Sequence, residues 1–162
     1  MLELGKTLRG WAAFRRRDWF GPIHQPTLRI MLIEDSKLTR TIQRCVLEAE
    51  SLRPLLIDEA SDGQDALSKV DAFLPDVILV DWDMPNMDGL TFVREYRSRN
   101  GKTPIIMVTL EASRDRVLQA IEAGVDDYIV MPFTPELLAS RVHAVRRKSL
   151  KFKAFSRQRT SG

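Results

Sequence analysis

The stretch VILVDWDMPNMDGL, residues 77–90, contains the pattern that decides the fold. It begins with four apolar residues, which fit a strand buried on both faces of a parallel sheet, and Asp81 follows them directly. A turn explains the later acid, Asp88. It does not explain Asp81, because burying a lone carboxylate at the end of an apolar strand is costly. Because the chemistry of open parallel sheets lies at the carboxyl ends of their strands, we expect Asp81 to belong to a functional site.

A second pair of acids is placed in the same way. Leu28–Ile33 reads as an apolar strand, and Glu34 and Asp35 come directly after it. If the two strands are parallel neighbours, Glu34, Asp35 and Asp81 converge at one edge of the sheet. Their like charges repel one another and raise their pKa values, and a hard divalent cation with oxygen ligands, such as Mg2+, offsets that repulsion. The sequence therefore predicts an acidic Mg2+ pocket around one central carboxylate.

Apolar strands and amphipathic stretches alternate along the chain. The predicted strands are residues 28–33, 54–60, 77–80, 104–109 and 127–131. This alternation is typical of a doubly wound α/β domain with right-handed crossovers. A nucleotide-binding version of such a sheet would have a glycine-rich or Ser/Thr-rich phosphate loop after the first strand. Two acids stand there instead, which favours a metal site over a nucleotide site.

Helical spacing also predicts which helix faces are buried. In the first helix, which Ser36 would cap, the predicted core face carries Leu38, Ile42, Cys45, Val46 and Ala49. Cys45 is the single cysteine, so it is predicted to be a small core residue and cannot form a disulfide or a zinc site within the chain. In the fourth helix, Val117, Leu118 and Ile121 are predicted to point inward.

The chain resembles the receiver domain of bacterial response regulators, most closely the single-domain chemotaxis type, CheY-like in pattern. The matching motifs are Glu34-Asp35 after the first strand, VDWDMPNMDG with Asp81, MVTLEA with Thr109, and DYIVMPF with Tyr128 and Pro132. They follow the order and spacing of the family, and as a set they are far more specific than any one alone. The resemblance implies a (βα)5 flavodoxin-like fold with a five-stranded parallel sheet in the order 2-1-3-4-5.

The resemblance also implies the roles of individual residues. Asp81 would accept a phosphoryl group from a sensor histidine kinase or a phosphotransfer protein, without enzymatic turnover beyond self-directed transfer and autodephosphorylation. Thr109 would close on the acyl phosphate, and Tyr128 would follow it as a rotameric switch. The Mg2+ ligands would be Glu34, Asp35, Asp81 and the backbone carbonyl of Asp83.

One position departs from the family pattern. The family places a lysine where this chain has Met131, which has a similar length but neither a charge nor a donor. The pocket therefore lacks a counter-charge for the phosphoryl group, and we expect slow or Mg2+-dependent transfer and weak coupling to Tyr128. The alternative is that Met131 only fills space and that another cation, for example from a tail, replaces the lysine. The peptide bond before Pro132 is cis in the family. The output would be a contact with a downstream protein, for example at the flagellar switch, through the face formed by the fourth helix, fifth strand and last helix.

Charge divides the chain into three parts. Residues 1–27 have a net charge of +3, residues 28–145 of −7 and residues 146–162 of +7. We expect a basic extension over residues 1–27, a receiver domain over 28–148 and a basic tail over 149–162. The sequence contains no run apolar enough to span a bilayer and no signal-peptide core, so we expect a cytoplasmic protein without a transmembrane segment.

Both basic ends leave alternatives open. In the first extension, Leu4, Leu8 and Trp11 have helical spacing. This suits a helix that docks on a partner or a membrane surface, a helix that packs on its own domain, or a poorly ordered leader. The tail is too short for a DNA-binding output domain. Some single-domain receivers with arginine-rich tails bind cyclic di-GMP and act on the flagellar motor, and planar guanidinium groups suit phosphates. The alternatives are a tail that contacts DNA directly, folds back on the acidic domain, or remains solvated. The candidate anion-binding residues are Arg146, Arg147, Arg157 and Arg159.

Overall fold

The computed structural model describes the backbone of residues 26–51 and 53–159 and the side chains up to residue 151, apart from residue 52. Residues 1–25 of the predicted basic extension over residues 1–27, including its predicted amphipathic helix, lie outside the described residues. Five strands alternate with five helices. In chain order these are β1 (Leu28–Ile33), α1 (Lys37–Glu50), β2 (Leu55–Ala60), α2 (Gly63–Phe73), β3 (Val77–Val80), α3 (Gly89–Ser98), β4 (Ile105–Thr109), α4 (Arg114–Ala123), β5 (Asp127–Val130) and α5 (Pro135–Arg159).

The strands form one parallel sheet in the order β2-β1-β3-β4-β5, which confirms the predicted doubly wound fold. In the central pair, Ile33 of β1 lies opposite Val80 of β3. The amide of Asp81 then donates to the carbonyl of Ile33 over 2.9 Å. The residues that follow the two strands, Glu34 and Asp81, therefore leave the sheet side by side.

Helices cover both faces of the sheet, which explains the continuous apolar runs in its central strands. Along β1, residues alternate between the two faces. Met31 and Ile33 belong to a core shared with α2, α3 and α4, whereas Ile30 and Leu32 belong to a core shared with α1 and α5. None of the helices within the described ranges combines the length and the apolar character needed to cross a membrane.

The buried face of α1 differs from the prediction. Gln43 and Leu47 are its buried residues, whereas Leu38 is 71% exposed and Cys45 is also exposed. Ion pairs explain the difference, because they turn the basic side of the helix toward the edge strand β2. The Nε of Arg40 lies 3.2 Å from one carboxylate oxygen of Glu59, and the Nη2 of Arg44 lies 2.6 Å from the other. The prediction of Cys45 as a core residue was therefore wrong.

The orientation of α4 also differs from the prediction. Its buried residue is Ala120, Val117 is half-buried, and Leu118 and Ile121 are 46% and 58% exposed. The helix instead turns Arg116, one turn before Ala120, toward the domain, where its guanidinium lies over the ring of Trp82. The inward orientation predicted for Leu118 and Ile121 was wrong.

The last helix passes the predicted boundary between domain and tail without a break. The amide of Leu137 donates to the hydroxyl of Thr134 over 3.2 Å, as expected of a capping residue. The buried residues Leu138, Val142 and Val145 hold the first half of α5 against the sheet. The helix then continues to Arg159, so residues 149–159 extend the same helix.

Gly89 supplies a test of how the fold positions Asp81. Its amide donates to the carbonyl of Trp82 over 2.9 Å, and a Cβ added to it would lie 1.9 Å from the carbonyl oxygen of Asp81. We expect Gly89→Ala to lower the free energy of unfolding by about 2 kcal/mol or more, because backbone must move to relieve the overlap.

Urea unfolding measures this change, and Thr91→Ala, at an exposed position in the first turn of the same helix, is the control. A Gly89→Ala protein as stable as this control would contradict the close packing of α3 on the loop after β3.

Candidate functional site

Three carboxyl groups meet at the carboxyl edge of the sheet, between β1 and β3. One carboxylate oxygen from each of Glu34, Asp35 and Asp81 lies within 4.8 Å of the others. The paired register of the two strands causes this convergence, because each acid follows a strand that ends at the same level. The structure therefore brings together the three side chains that the sequence predicted to converge.

Glu34 is the most buried acid of this cluster, with 3% of its surface exposed. Burial raises its pKa to about 7, and the nearby charges of Asp81 and Asp35 add to the rise, while a hydrogen bond from the Ser36 amide opposes it. That amide donates to Oε1 over 3.1 Å. The other oxygen, Oε2, is buried and has no hydrogen-bond partner among the described residues.

Asp81 lies at the centre of the cluster and is half-buried. Burial is the largest cause of a raised pKa at this carboxyl, and the charges of Asp83 and Asp35 contribute to the same rise. Hydrogen bonds from the Trp82 amide and from the Thr109 hydroxyl act in the opposite direction. Thr109 ends β4 and is itself buried, with 2% of its surface exposed, so its hydroxyl is held beside Asp81.

Tyr128 is connected to the pocket through the loop after β4. Its hydroxyl donates to the carbonyl of Glu111 over 2.9 Å, and the Glu111 amide donates to the Thr109 hydroxyl over 3.3 Å. Burial, followed by the charge of Glu111, raises the pKa of Tyr128. Thr109 and Tyr128 are thus joined by two hydrogen bonds that share one loop residue.

The rim of the pocket contains a residue that the sequence analysis missed. The Nη1 of Arg116 lies 3.4 Å from a carboxylate oxygen of Asp83, and its Nε lies 4.0 Å from one of Glu111. The side chain of Asp83 is 73% exposed and pairs with this arginine, and it is not part of the three-acid cluster. Spacing along α4 gave no signal for Arg116, because helical periodicity alone does not specify which side of a polar helix faces the domain.

Met131 lies at the end of β5, where its amide donates to the carbonyl of Thr109 over 2.8 Å. Its side chain is half-buried and packs against the apolar core shared with α1 and α5. It therefore fills space near the pocket without contributing a charge. The Met131-Pro132 peptide bond is cis, as the resemblance implied.

The arginines of the predicted tail are far along α5 from this site. Arg146 is half-buried and Arg147 is exposed. The Nε of Arg146 is buried without a hydrogen-bond partner among the described residues, and the same holds for the Nε of Arg53. The side chains of Arg157 and Arg159 lie outside the described residues.

The sequence matches the family model of the response regulator receiver domain over residues 30–143. It is 37% identical over 121 residues to the chemotaxis protein CheY1 of Helicobacter pylori, covering 73% of this chain and 96% of that protein. It is also 38% identical over 121 residues to the transcriptional regulatory protein ResD of Bacillus subtilis, covering 75% of this chain and 49% of that protein.

A solved structure agrees with these sequence matches. The chemotaxis response regulator CheY4 of Vibrio cholerae superimposes with a TM-score of 0.66 at 30% sequence identity, covering 74% of this chain and 99% of that one. The fold, the acidic edge and the sequence relatives lead to the same conclusion: the chain belongs to the response regulator receiver domain family, whose members act as phosphoacceptors in two-component signalling.

Proposed function

We propose that this protein is a single-domain response regulator that accepts a phosphoryl group on Asp81 and signals by binding a partner protein. The observation that supports this most strongly is the position of Asp81. It follows the central strand β3, it lies within 4.8 Å of two other carboxylates, and the buried hydroxyl of Thr109 lies beside it and lowers its pKa. A nucleophile, a cation-binding set and a hydrogen-bond donor thus meet at one point.

The transfer step uses groups of this chain in defined roles. A carboxylate oxygen of Asp81 attacks the phosphorus of a phosphohistidine on a sensor histidine kinase or phosphotransfer protein. The new O–P bond forms as the P–N bond breaks, and the electron pair of that bond returns to the imidazole nitrogen of the donor. The product is an acyl phosphate, with one phosphoryl oxygen accepting from the Thr109 hydroxyl.

The acid cluster fits Mg2+. Glu34 has a buried carboxylate oxygen without a partner among the described residues, and carboxylate oxygens are ligands that this hard cation prefers. Glu34, Asp35 and Asp81 would hold the ion, with the backbone carbonyl of Asp83 as a further ligand by resemblance. When bound, Mg2+ supplies positive charge that offsets the repulsion between the carboxylates and the incoming phosphoryl group.

The surface formed by α4, β5 and α5 is the output face in this proposal. It exposes Leu118, Ile121, Val130 and Leu137, which lie on these three elements. The hydrogen bond from Tyr128 on β5 to Glu111, just before α4, connects this surface to the loop that follows Thr109. A downstream protein, such as one of the flagellar switch, would read a change in that loop by binding here.

The alternative function is a receiver-like module whose arginine-rich tail binds an anionic ligand such as cyclic di-GMP and acts on the flagellar motor. One observation favours it. Arg53 and Arg146 each have a buried Nε without an acceptor among the described residues, and their charges, after burial, lower the pKa of His143. An Nε–H group without an acceptor is a donor that a phosphate oxygen could accept from.

The phosphoacceptor assignment predicts the behaviour of Asp81→Asn. The amide has nearly the same shape but is not a nucleophile, and it removes one of the repelling charges. We expect labelling by a small phosphodonor with Mg2+ to be lost, while the free energy of unfolding stays the same or rises by about 1 kcal/mol. Intact-protein mass spectrometry measures the first effect and urea unfolding the second. Asp88→Asn, at the half-buried cap of α3, keeps an oxygen that can accept from the Thr91 amide and should still be labelled. Labelling of Asp81→Asn would exclude the assignment.

The raised pKa values predict how stability depends on pH. Burial raises the pKa of Glu34 from its ordinary value of 4.5 to about 7, so the folded protein favours the protonated acid. The contribution of protonated Glu34 to the stability of the fold is complete below the unfolded-state pKa. It is lost as the pH rises through the folded-state pKa. Without metal, the free energy of unfolding should therefore decrease by on the order of 2 kcal/mol between about pH 4.5 and pH 7.

Saturating Mg2+ should remove most of this decrease, because the cation replaces the proton as the group that offsets the charge. Urea unfolding at several pH values, with Mg2+ or with a chelator, tests the expectation. Glu34→Gln is the control, and without metal its free energy of unfolding should depend less on pH. A metal-free stability that increases over this range would contradict the electrostatics of the cluster.

The alternative function predicts a ligand effect that depends on the tail. Calorimetry with cyclic di-GMP at low salt should show binding that weakens steeply as salt is added and that is lost in Arg146→Gln/Arg147→Gln. The control, Arg94→Gln/Lys102→Gln, removes two exposed basic groups elsewhere on the domain and should bind normally. The absence of binding heat in the unmodified protein at low salt would eliminate this alternative.

A further inference from the structure

Arg116 is a cation at the rim of the acidic pocket that the proposed function does not yet use. Its guanidinium carbon lies 4.6 Å from the centre of the Trp82 ring. Its Nη1 is 3.4 Å from Asp83, and its Nε is 4.0 Å from Glu111. Trp82 is the residue after Asp81, and Glu111 is two residues after Thr109, so all three contacts border the point where a phosphoryl group would be added.

The contacts that hold Arg116 are weak and replaceable. At 3.4 and 4.0 Å, both ion pairs are long, and the side chain of Asp83 is 73% exposed. Exposed ion pairs of this kind contribute little to stability. Arg40, which also reaches the rim, is differently placed, because its guanidinium donates to the backbone carbonyls of Glu34 and Asp35 and is tied to Glu59.

A phosphoryl group on Asp81 would compete strongly for this guanidinium. It adds between one and two negative charges and three acceptor oxygens, and a guanidinium fork matches such an anion with two parallel hydrogen bonds. The pocket already contains three acids, and Met131 contributes no positive charge. The charge balance therefore favours the movement of Arg116 toward the phosphoryl oxygens.

We propose that Arg116 is a phosphoryl-binding residue, which leaves Asp83 and Glu111 when Asp81 is phosphorylated and donates to the phosphoryl oxygens in place of a lysine at position 131. This inference rests on the proposed function. It assigns the counter-charge to α4 rather than to β5. Because Arg116 belongs to α4, the movement also pulls on the helix that exposes Leu118 and Ile121, so phosphorylation is connected to the output face directly as well as through Tyr128.

The experiment uses the full chain with Trp11→Phe and Trp19→Phe, so that Trp82 is the one remaining tryptophan. Labelling by acetyl phosphate at saturating Mg2+ is followed by intact-protein mass spectrometry and by Trp82 emission. Arg116→Gln should be labelled about tenfold more slowly, which corresponds to the loss of one charge-assisted hydrogen bond. Arg116→Lys, which keeps the charge but loses the fork, should be intermediate.

The matched control is Arg114→Gln, which removes the same charge from an exposed position on the same helix and should be labelled like the parent protein. In the parent, phosphorylation should change the emission of Trp82 as the guanidinium leaves its ring, and Arg116→Gln should lack this change. Affinity for Mg2+, titrated before the phosphodonor is added, should not decrease in Arg116→Gln, because a nearby cation has been removed.

Three results would overturn the inference. Equal labelling rates in Arg116→Gln and Arg114→Gln would show that Arg116 does not contact the phosphoryl group. A parallel decrease in Mg2+ affinity would show that the slower labelling acts through the metal site. If the parent protein is not labelled on Asp81 at all, the proposed function fails and the inference fails with it. Labelling of the parent protein therefore distinguishes this outcome from a failure of the inference alone.

Discussion

The site depends on one constraint, the repulsion between carboxyl groups. The backbone holds these groups close together and does not allow them to separate. Glu34 and Asp81 follow residues that are paired across β1 and β3, and the hydrogen bond from the Asp81 amide to Ile33 fixes their spacing. Around them the sheet is apolar and covered on both faces, so neither strand can shift without exposing its core. The folded chain thus maintains an unfavourable local charge, which protons or cations can relieve.

Three side chains connect this edge to one loop. Thr109 is buried, Tyr128 and Arg116 are half-buried, and all three contact the loop after β4 at Glu111. A change in charge at Asp81 can therefore act on one loop through three contacts: the hydrogen bonds of the Thr109 hydroxyl and the Tyr128 phenol, and the ion pair of Arg116. In the proposed function, these contacts connect the pocket to the surface of α4 and β5.

The sheet and the acid cluster could be predicted from the sequence because both follow from the backbone. Strands that are apolar on both faces require a covered parallel sheet, and acids at their ends then converge by topology. The helix faces could not be predicted in the same way. In α1, the ion pairs of Arg40 and Arg44 with Glu59 decided the orientation, and in α4 the stacking of Arg116 on Trp82 did so. Such contacts join residues far apart in the chain, and periodicity contains no information about them.

The length of α5 has a mechanical consequence. Its 25 residues correspond to roughly 37 Å of helix, and among the described side chains its buried apolar residues run from Leu138 to Val145. The half of α5 that packs on the sheet begins five residues after the end of β5. Because the helix is continuous to Arg159, a rotation of this packed half is transmitted along its backbone to the basic segment, which would turn together with the domain.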